Sequence, residues 1–145
     1  MSTHQEHVSE LTTEKEWIEA FPIMNQLRTH LNFDSYLQLL QKMKKQGYRL
    51  FALYDEEEIV ALAGIQLNIN FYHERYVFIH DLVTHSSNRS KGYGEKLLHY
   101  IHDWAREQGA QYVSLESGIQ RREAHQFYDE KMHYDKWCYS FRRKL

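Results

Sequence analysis

Arg89-Ser90-Lys91-Gly92-Tyr93-Gly94 stands between an alternating apolar segment at 75–84 and a run with helical spacing at 92–108. Leu97, Leu98, Ile101, Trp104 and Ala105 recur at i, i+3 and i+4, and Gly109 is a natural stop. The six residues therefore form a strand-to-helix loop. The first turn of a helix leaves backbone N–H groups without intrahelical partners, and the macrodipole adds positive potential there. Glycine lets such a backbone approach a ligand without Cβ clashes. Arg89 and Lys91 add charge at the same point. The combination suits a pyrophosphate. It is neither G-x-x-x-x-G-K-[ST] nor G-x-G-x-x-G. From the residues alone, a tight turn with purely structural glycines is an equal reading.

Working outward, 14–28 carries Trp17, Ile18, Phe21, Met24 and Leu27, a helical stripe bent or interrupted near Pro22. A second helix is expected over 32–46, with Asp34 as a cap and Gly47 as its stop. The period then changes to two. Strands are expected at 48–54, at 58–70 and at 75–84, joined by turns at 55–57 and 71–74, as an antiparallel meander. In the second strand Ile59, Ala61, Ala63, Ile65, Leu67 and Ile69 share a face. In the third, Tyr76, Phe78, His80, Leu82 and Thr84 share one, and Val77, Ile79, Asp81 and Val83 the other. A strand at 112–117 follows the long helix, so a βαβ crossover allows parallel pairing. A last helix over 120–131 turns Ala124, Phe127 and Tyr128 inward, and 137–141 alternates as a closing strand. A short strand at 7–12 can precede the whole. The sum is one α/β domain over residues 1–145.

Length and composition agree with this. The 145 residues are 42% hydrophobic and 26% charged, enough for a packed core and too apolar for disorder. A net charge of −2 argues against nucleic-acid binding through bulk positive charge. A single cysteine, Cys138, excludes an intramolecular disulfide framework and a multi-cysteine zinc site, and points to a reducing, cytoplasmic setting. No run of 18 apolar residues suggests a membrane span, and the polar, His-rich residues 1–10 do not read as a signal peptide.

R-x-x-G-x-G between a central strand and a helix resembles the acyl-coenzyme A motif of the GNAT superfamily of N-acetyltransferases. Leu82-Val83-Thr84 is similar to the strand end beside the pantetheine arm, and Leu97 and Leu98 to the helix residues that pack on the sheet. Ala124-His125-Gln126-Phe127-Tyr128 resembles the family's second motif. Leu115-Glu116-Ser117-Gly118 with Arg121 resembles one bacterial branch of small members. Where the family usually has glycine after that helix, this chain has Met132 and His133. The resemblance implies a central mixed, largely antiparallel sheet flanked by helices. It also implies acetyl-CoA as cosubstrate, held by Leu82, Val83, Thr84 and residues Arg89, Ser90, Lys91, Gly92, Tyr93, Gly94 and Glu95, with no metal. The acceptor would be an amine on a small molecule or peptide.

Transfer to an amine needs a neutral nucleophile, a polarised thioester carbonyl and help for the departing thiolate. The resemblance makes Tyr128 the acid, since a phenol of pKa about 10 holds its proton at neutral pH. Spacing alone would make it a core tyrosine. The family's usual glutamate position falls on Phe78, which cannot act as a base. His80, two residues on, is the alternative, and a hydrogen-bonded core histidine is the competing reading. Asp81 is expected on the opposite face, anchoring the loop. Glu116 is either an attractant for a cationic acceptor or a solvated acid.

Other clusters are weaker. His99 and His102 are three apart on a helix but lack a third ligand. His4 and His7 fall in a terminus expected to be mobile. Cys138 reads as a buried hydrophobe. Trp137, Tyr139 and Phe141 read as core or as a strand edge shared by two copies in a homodimer. Arg121-Arg122 and Arg142-Arg143-Lys144 suit a phosphate, a partner or plain solvent. Two other functions stay open: a catalytically weak acyl-CoA sensor, suggested by Phe78, and an interaction domain whose glycine turn is structural.

Overall fold

The computed structural model describes residues 5–145, and His4 lies outside them. The chain forms two compact units, one reaching to Ser114 and one of Leu115–Leu145. The first holds β1 (Glu6–Leu11), α1 (Glu14–Leu27), α2 (Phe33–Lys45), β2 (Tyr48–Asp55), β3 (Glu58–Asn70), β4 (Glu74–Thr84) and α3 (Tyr93–Glu107), and β5 (Tyr112–Leu115) begins at its end. The sheet order is β1-β2-β3-β4-β5, and β1 to β4 are antiparallel neighbours. Gln111 N–H donates to Arg75 O at 2.7 Å, which joins the starts of β5 and β4 as parallel neighbours require. The fold is α/β, with a mostly antiparallel sheet flanked by helices.

The helices form where caps and stripes agree. Thr13 and Glu16 make a reciprocal capping box at α1. Asn32, not Asp34, caps α2, because its side chain accepts from Ser35 N–H while Ser35 answers its backbone. Pro22 does not interrupt α1, whose packing through Ala20, Ile23 and Met24 outweighs the one lost bond. Those residues join Tyr36, Leu40, Tyr48, Leu50, Ala52, Leu62 and Val83 in one core, so α1 and α2 cover one sheet face. Phe51 lies 5.9 Å from Tyr100 and 5.7 Å from Trp104 between ring centres, which places α3 on the other.

Burial on both faces changes the expected pattern of β3. Val60 and Leu62 are as buried as Ala61, Ala63 and Ile65. The ladder also slips between Leu53 and Tyr54, where β3 has an extra residue, Val60. Ile59 therefore packs with Tyr54 against the α1–α2 core and not with Ala61. His7 is not in a loose terminus but in β1, stacked on Tyr54 at 4.9 Å.

The second unit holds α4 (Arg122–Gln126), which passes into one π turn (Phe127–Lys131). The expected closing strand is absent: residues 133–145 carry no regular secondary structure. Trp137, Tyr139 and Phe141 are 63%, 85% and 92% exposed, so they are not core, and Cys138 is exposed as well. Alternation marks a strand only where a neighbouring edge supplies the hydrogen bonds.

Candidate active site

Hydrogen bonds fix the loop after β4. His85 N–H donates to Val60 O and Ser86 N–H to Gln26 Oε1, both at 2.8 Å, and Ser87 N–H donates to His85 Nδ1 at 3.1 Å. The chain then turns through Ser90 (φ 67°) and Gly92 (φ 80°). Gly92 heads α3 without a side-chain cap, and a Cβ there would meet no atom within 4 Å. The left-handed backbone requires glycine, and the space above it is open. Lys96 N–H makes its helical bond back to Gly92 O at 3.0 Å, and Arg89, Ser90 and Lys91 are exposed. These residues fit a pyrophosphate: an open, glycine-floored helix start with two cations beside it. Tyr93 is buried, and its hydroxyl donates to the Asp55 carboxylate, which with burial pushes it up to about 12. Its side chain is therefore an anchor for the helix start, and what it can offer a ligand is its backbone.

The second feature is a bulge. Gly64 pairs with Asp81, but Ile65 pairs with Ile79, so β4 advances two residues while β3 advances one, and His80 is the extra residue. The phase of β4 flips there. Ile79, through Ile65 and Arg49, belongs to the α3 face, where Arg49 lies over Trp104. Asp81 and Val83 belong to the α1–α2 face, in register with Gly64 and Leu62. The expectation that His80 and Asp81 point apart is therefore overturned. The Tyr48 ring lies 5.8 Å from the His80 ring, and its hydroxyl donates to Asp81 Oδ2 at 2.7 Å. Phe78 shares the face, its ring 4.8 Å from His80.

Asp81 is buried, and its other oxygen accepts from Arg28 Nε at 2.9 Å, while Arg28 Nη2 donates to His80 O at 2.7 Å. Arg28 thus ties the end of α1 to both bulge residues. Burial and the Asp81 charge push the hydroxyls of Tyr48 and Tyr36 up, so both hold their protons at neutral pH. His80 Nε2 lies 3.2 Å from Gln66 Oε1. Leu82 and Thr84 are half-buried beyond the bulge, and Val83 is in the core.

In the second unit Tyr128 sits in the π turn, half-buried, its ring 5.3 Å from Phe127 and 5.9 Å from Tyr134. Burial raises its hydroxyl despite Arg121, which keeps it protonated at neutral pH. Met132 N–H donates to Phe127 O at 2.9 Å and Tyr134 N–H to Tyr128 O at 2.8 Å. His133 has φ 60°, so this non-glycine adopts the left-handed turn near which the family has glycine. His125 Nε2 lies 2.8 Å from Gly118 O, and Glu116 accepts from Ser140 Oγ at 3.1 Å, so Glu116 is engaged within its own unit.

Sequence reasoning missed Arg28, Tyr48, Gln66 and Gly64. The available signal was Gly64, a glycine inside an apolar strand, which marks a bulge or a close approach. Here it is both: a Cβ at Gly64 would overlap the Tyr48 hydroxyl and stand 2.8 Å from Asp81 Oδ2. His99 and His102 sit side by side on α3, their rings 6.0 Å apart, and His99 lies 3.6 Å from Glu95. Among the described residues no group of three or more His, Cys, Asp or Glu is placed to hold a metal ion. Among them, no helix is long and apolar enough to cross a membrane.

Residues 12–134 match the acetyltransferase (GNAT) family. The chain belongs to the GNAT acetyltransferases. It is 46% identical over 140 residues to the uncharacterized N-acetyltransferase YhdJ of Bacillus subtilis, covering 96% of this chain and 99% of that protein. A shorter match, 31% over 72 residues, joins 49% of it to 47% of the aminoalkylphosphonate N-acetyltransferase of Salmonella typhimurium. The aminoglycoside N-acetyltransferase AAC(6')-Iy, solved with CoA, has the same fold at a TM-score of 0.86 and 11% identity, over 99% of this chain and 97% of that one. This GNAT chain is an acetyl-CoA-dependent N-acetyltransferase.

Proposed function

We propose that the protein transfers acetyl from acetyl-CoA directly to a primary amine on a small molecule or peptide, and that residues 1–145 act as one catalytic domain. The observation that carries this is the open, left-handed Gly92 at the head of α3, flanked by Arg89 and Lys91 and following the strand that presents His80. The family match spans 12–134, across both units, which supports the single domain. The match to an aminoalkylphosphonate acetyltransferase and the fold shared with an aminoglycoside acetyltransferase support an amine acceptor.

In this reading the backbone of residues 92–95 with Arg89, Ser90 and Lys91 binds the pyrophosphate, and the backbone of Leu82, Val83 and Thr84 lines the pantetheine path. The acceptor nitrogen forms its bond to the carbonyl carbon as the carbon–sulfur bond breaks. His80 takes the proton that the nitrogen loses, and the Tyr128 hydroxyl returns one to the leaving sulfur. A panel of primary amines with acetyl-CoA, read as free thiol release, tests the activity. Tyr128→Phe keeps the ring and is expected to lower kcat about a hundredfold with little change in coenzyme affinity or Tm. Near-normal kcat would make Tyr128 a packing residue. With Phe78 at the usual glutamate position, the base must come from elsewhere, and coenzyme binding without thiol release for any amine would overturn the primary-amine reading.

A further inference from the structure

The hydrogen bonds of Gln66 bear on which nitrogen of His80 carries the proton. Gln66 Nε2 donates to the backbone carbonyl of Gln46 at 2.9 Å. Gln46 is the C-cap of α2, and its carbonyl is among those that a helix end leaves without an intrahelical donor. A carbonyl oxygen can only accept, so the amide of Gln66 has one orientation: NH2 toward Gln46, oxygen toward His80. That oxygen also only accepts. The 3.2 Å contact to His80 Nε2 is therefore a hydrogen bond only if Nε2 carries the proton.

We propose that Gln66 is a positioning residue for the acetyl transfer: it locks His80 in the Nε2–H tautomer and so sets the basic lone pair on Nδ1. This rests on the reading of His80 as the base. Three further contacts hold the residue in place. Arg28 Nη2 fixes the His80 carbonyl at 2.7 Å, and the rings of Phe78 and Tyr48 flank the imidazole at 4.8 and 5.8 Å. The bulge makes the lock possible, because it sets His80 on the face that Gln66 and Tyr48 share by register. The charged and titratable groups around His80 include Arg28 at the C-terminal cap of α1, Tyr48 from β2 and Asp81 from β4, and Tyr36 from α2 feels the Asp81 charge. Gln66 is uncharged, so its removal changes the tautomer without changing the local charge.

The test is two-bond 15N–1H correlation NMR of the full-length protein at pH 8, which distinguishes a protonated from an unprotonated ring nitrogen. Wild type is expected to show His80 as Nε2–H, and a wild-type Nδ1–H tautomer overturns the proposal outright. Gln66→Met should give a mixture of tautomers and lower kcat/KM for an amine by about tenfold or more, the scale on which loss of an imidazole-orienting partner acts. Acetyl-CoA affinity should not change. Gln66→Glu keeps an acceptor at the same place. It should retain Nε2–H and move the acid limb of the pH profile upward, since a carboxylate favours the imidazolium. A Gln66→Met protein with the wild-type tautomer and wild-type kcat/KM overturns the lock. His80→Gln separates the two ideas: if its acid limb and rate match wild type, the base assignment fails, whatever the NMR shows of Gln66.

Discussion

The loop at Arg89–Gly94 and the bulge at His80 lie a few residues apart in sequence and are built by opposite means. The loop is local. Its two cations and two glycines are contiguous, its floor is bare backbone, and the space above Gly92 is empty of protein. The bulge is assembled from Arg28, Tyr48, Gly64, Gln66, His80 and Asp81, which come from α1, β2, β3 and β4, and it is filled tightly enough to exclude a methyl group. A ligand cradle made of backbone can be damaged without touching the core. A polar cluster inside the core cannot.

The sharpest break should come at Gly92. Gly92→Glu puts a carboxylate in the pyrophosphate space, so titration calorimetry with acetyl-CoA should show binding abolished. The left-handed backbone costs only about 1–2 kcal/mol, so circular dichroism should show a folded protein with a slightly lower Tm. Unchanged affinity in that folded variant would remove the loop from the binding site.

Gly64→Ala should do the reverse. The new Cβ displaces the Tyr48 hydroxyl from Asp81, and overpacking plus the lost bond should cost about 3 kcal/mol in chemical denaturation. A loss below about 1 kcal/mol would mean that the bulge relaxes more easily than its packing implies.

Arg89→Ala returns to the loop at smaller scale. It should weaken acetyl-CoA about tenfold at low ionic strength, the order expected for one charge-assisted phosphate contact, and less as salt is added. Fragments without the pyrophosphate should not feel it. Equal losses for both ligand types would give Arg89 another role.

Tyr48→Phe removes a single hydroxyl from the bulge. It leaves buried Asp81 Oδ2 without its tyrosine donor and should cost about 1–3 kcal/mol at neutral pH. It should also alter the alkaline side of the stability profile. The folded state holds the Tyr48 proton more tightly than the unfolded chain, so that stabilisation is complete below pH about 10 and fades as pH rises beyond it. Urea titrations from pH 8 to 11 should give a shallower decline in the variant. Parallel curves would show that Tyr48 does not titrate with unfolding.

The same contrast explains what the sequence could reveal. Helices and strands through Glu107 are legible because each buries a periodic stripe, and the loop is legible because its chemistry is contiguous. The bulge is not, since an inserted residue leaves the alternating pattern of β4 intact while exchanging its faces: Val77 and Ile79 point one way, Asp81 and Val83 the other. Alternation reports burial, and here both faces are buried. Past β5 the pattern failed for a different reason. Trp137, Tyr139 and Phe141 alternate as a strand would, yet they carry no ladder. The residue pattern puts Tyr128 in a last helix over 120–131, but the π turn that holds it depends on Met132 and Tyr134, to which helical spacing is blind.

A sheet that runs β1 to β5 in order has those two as its edge strands, and an edge strand is a template for unwanted growth with neighbouring molecules. β5 limits this by having only four residues. β1 does so with charge: Glu6 is held by Lys96 at 2.7 Å, and Glu10 by Arg49 at 3.1 Å and Lys44 at 3.6 Å. Charged side chains along an edge disfavour the docking of another apolar strand. The same side chains that join β1 to its own molecule thereby guard the protein against fibrillar aggregation.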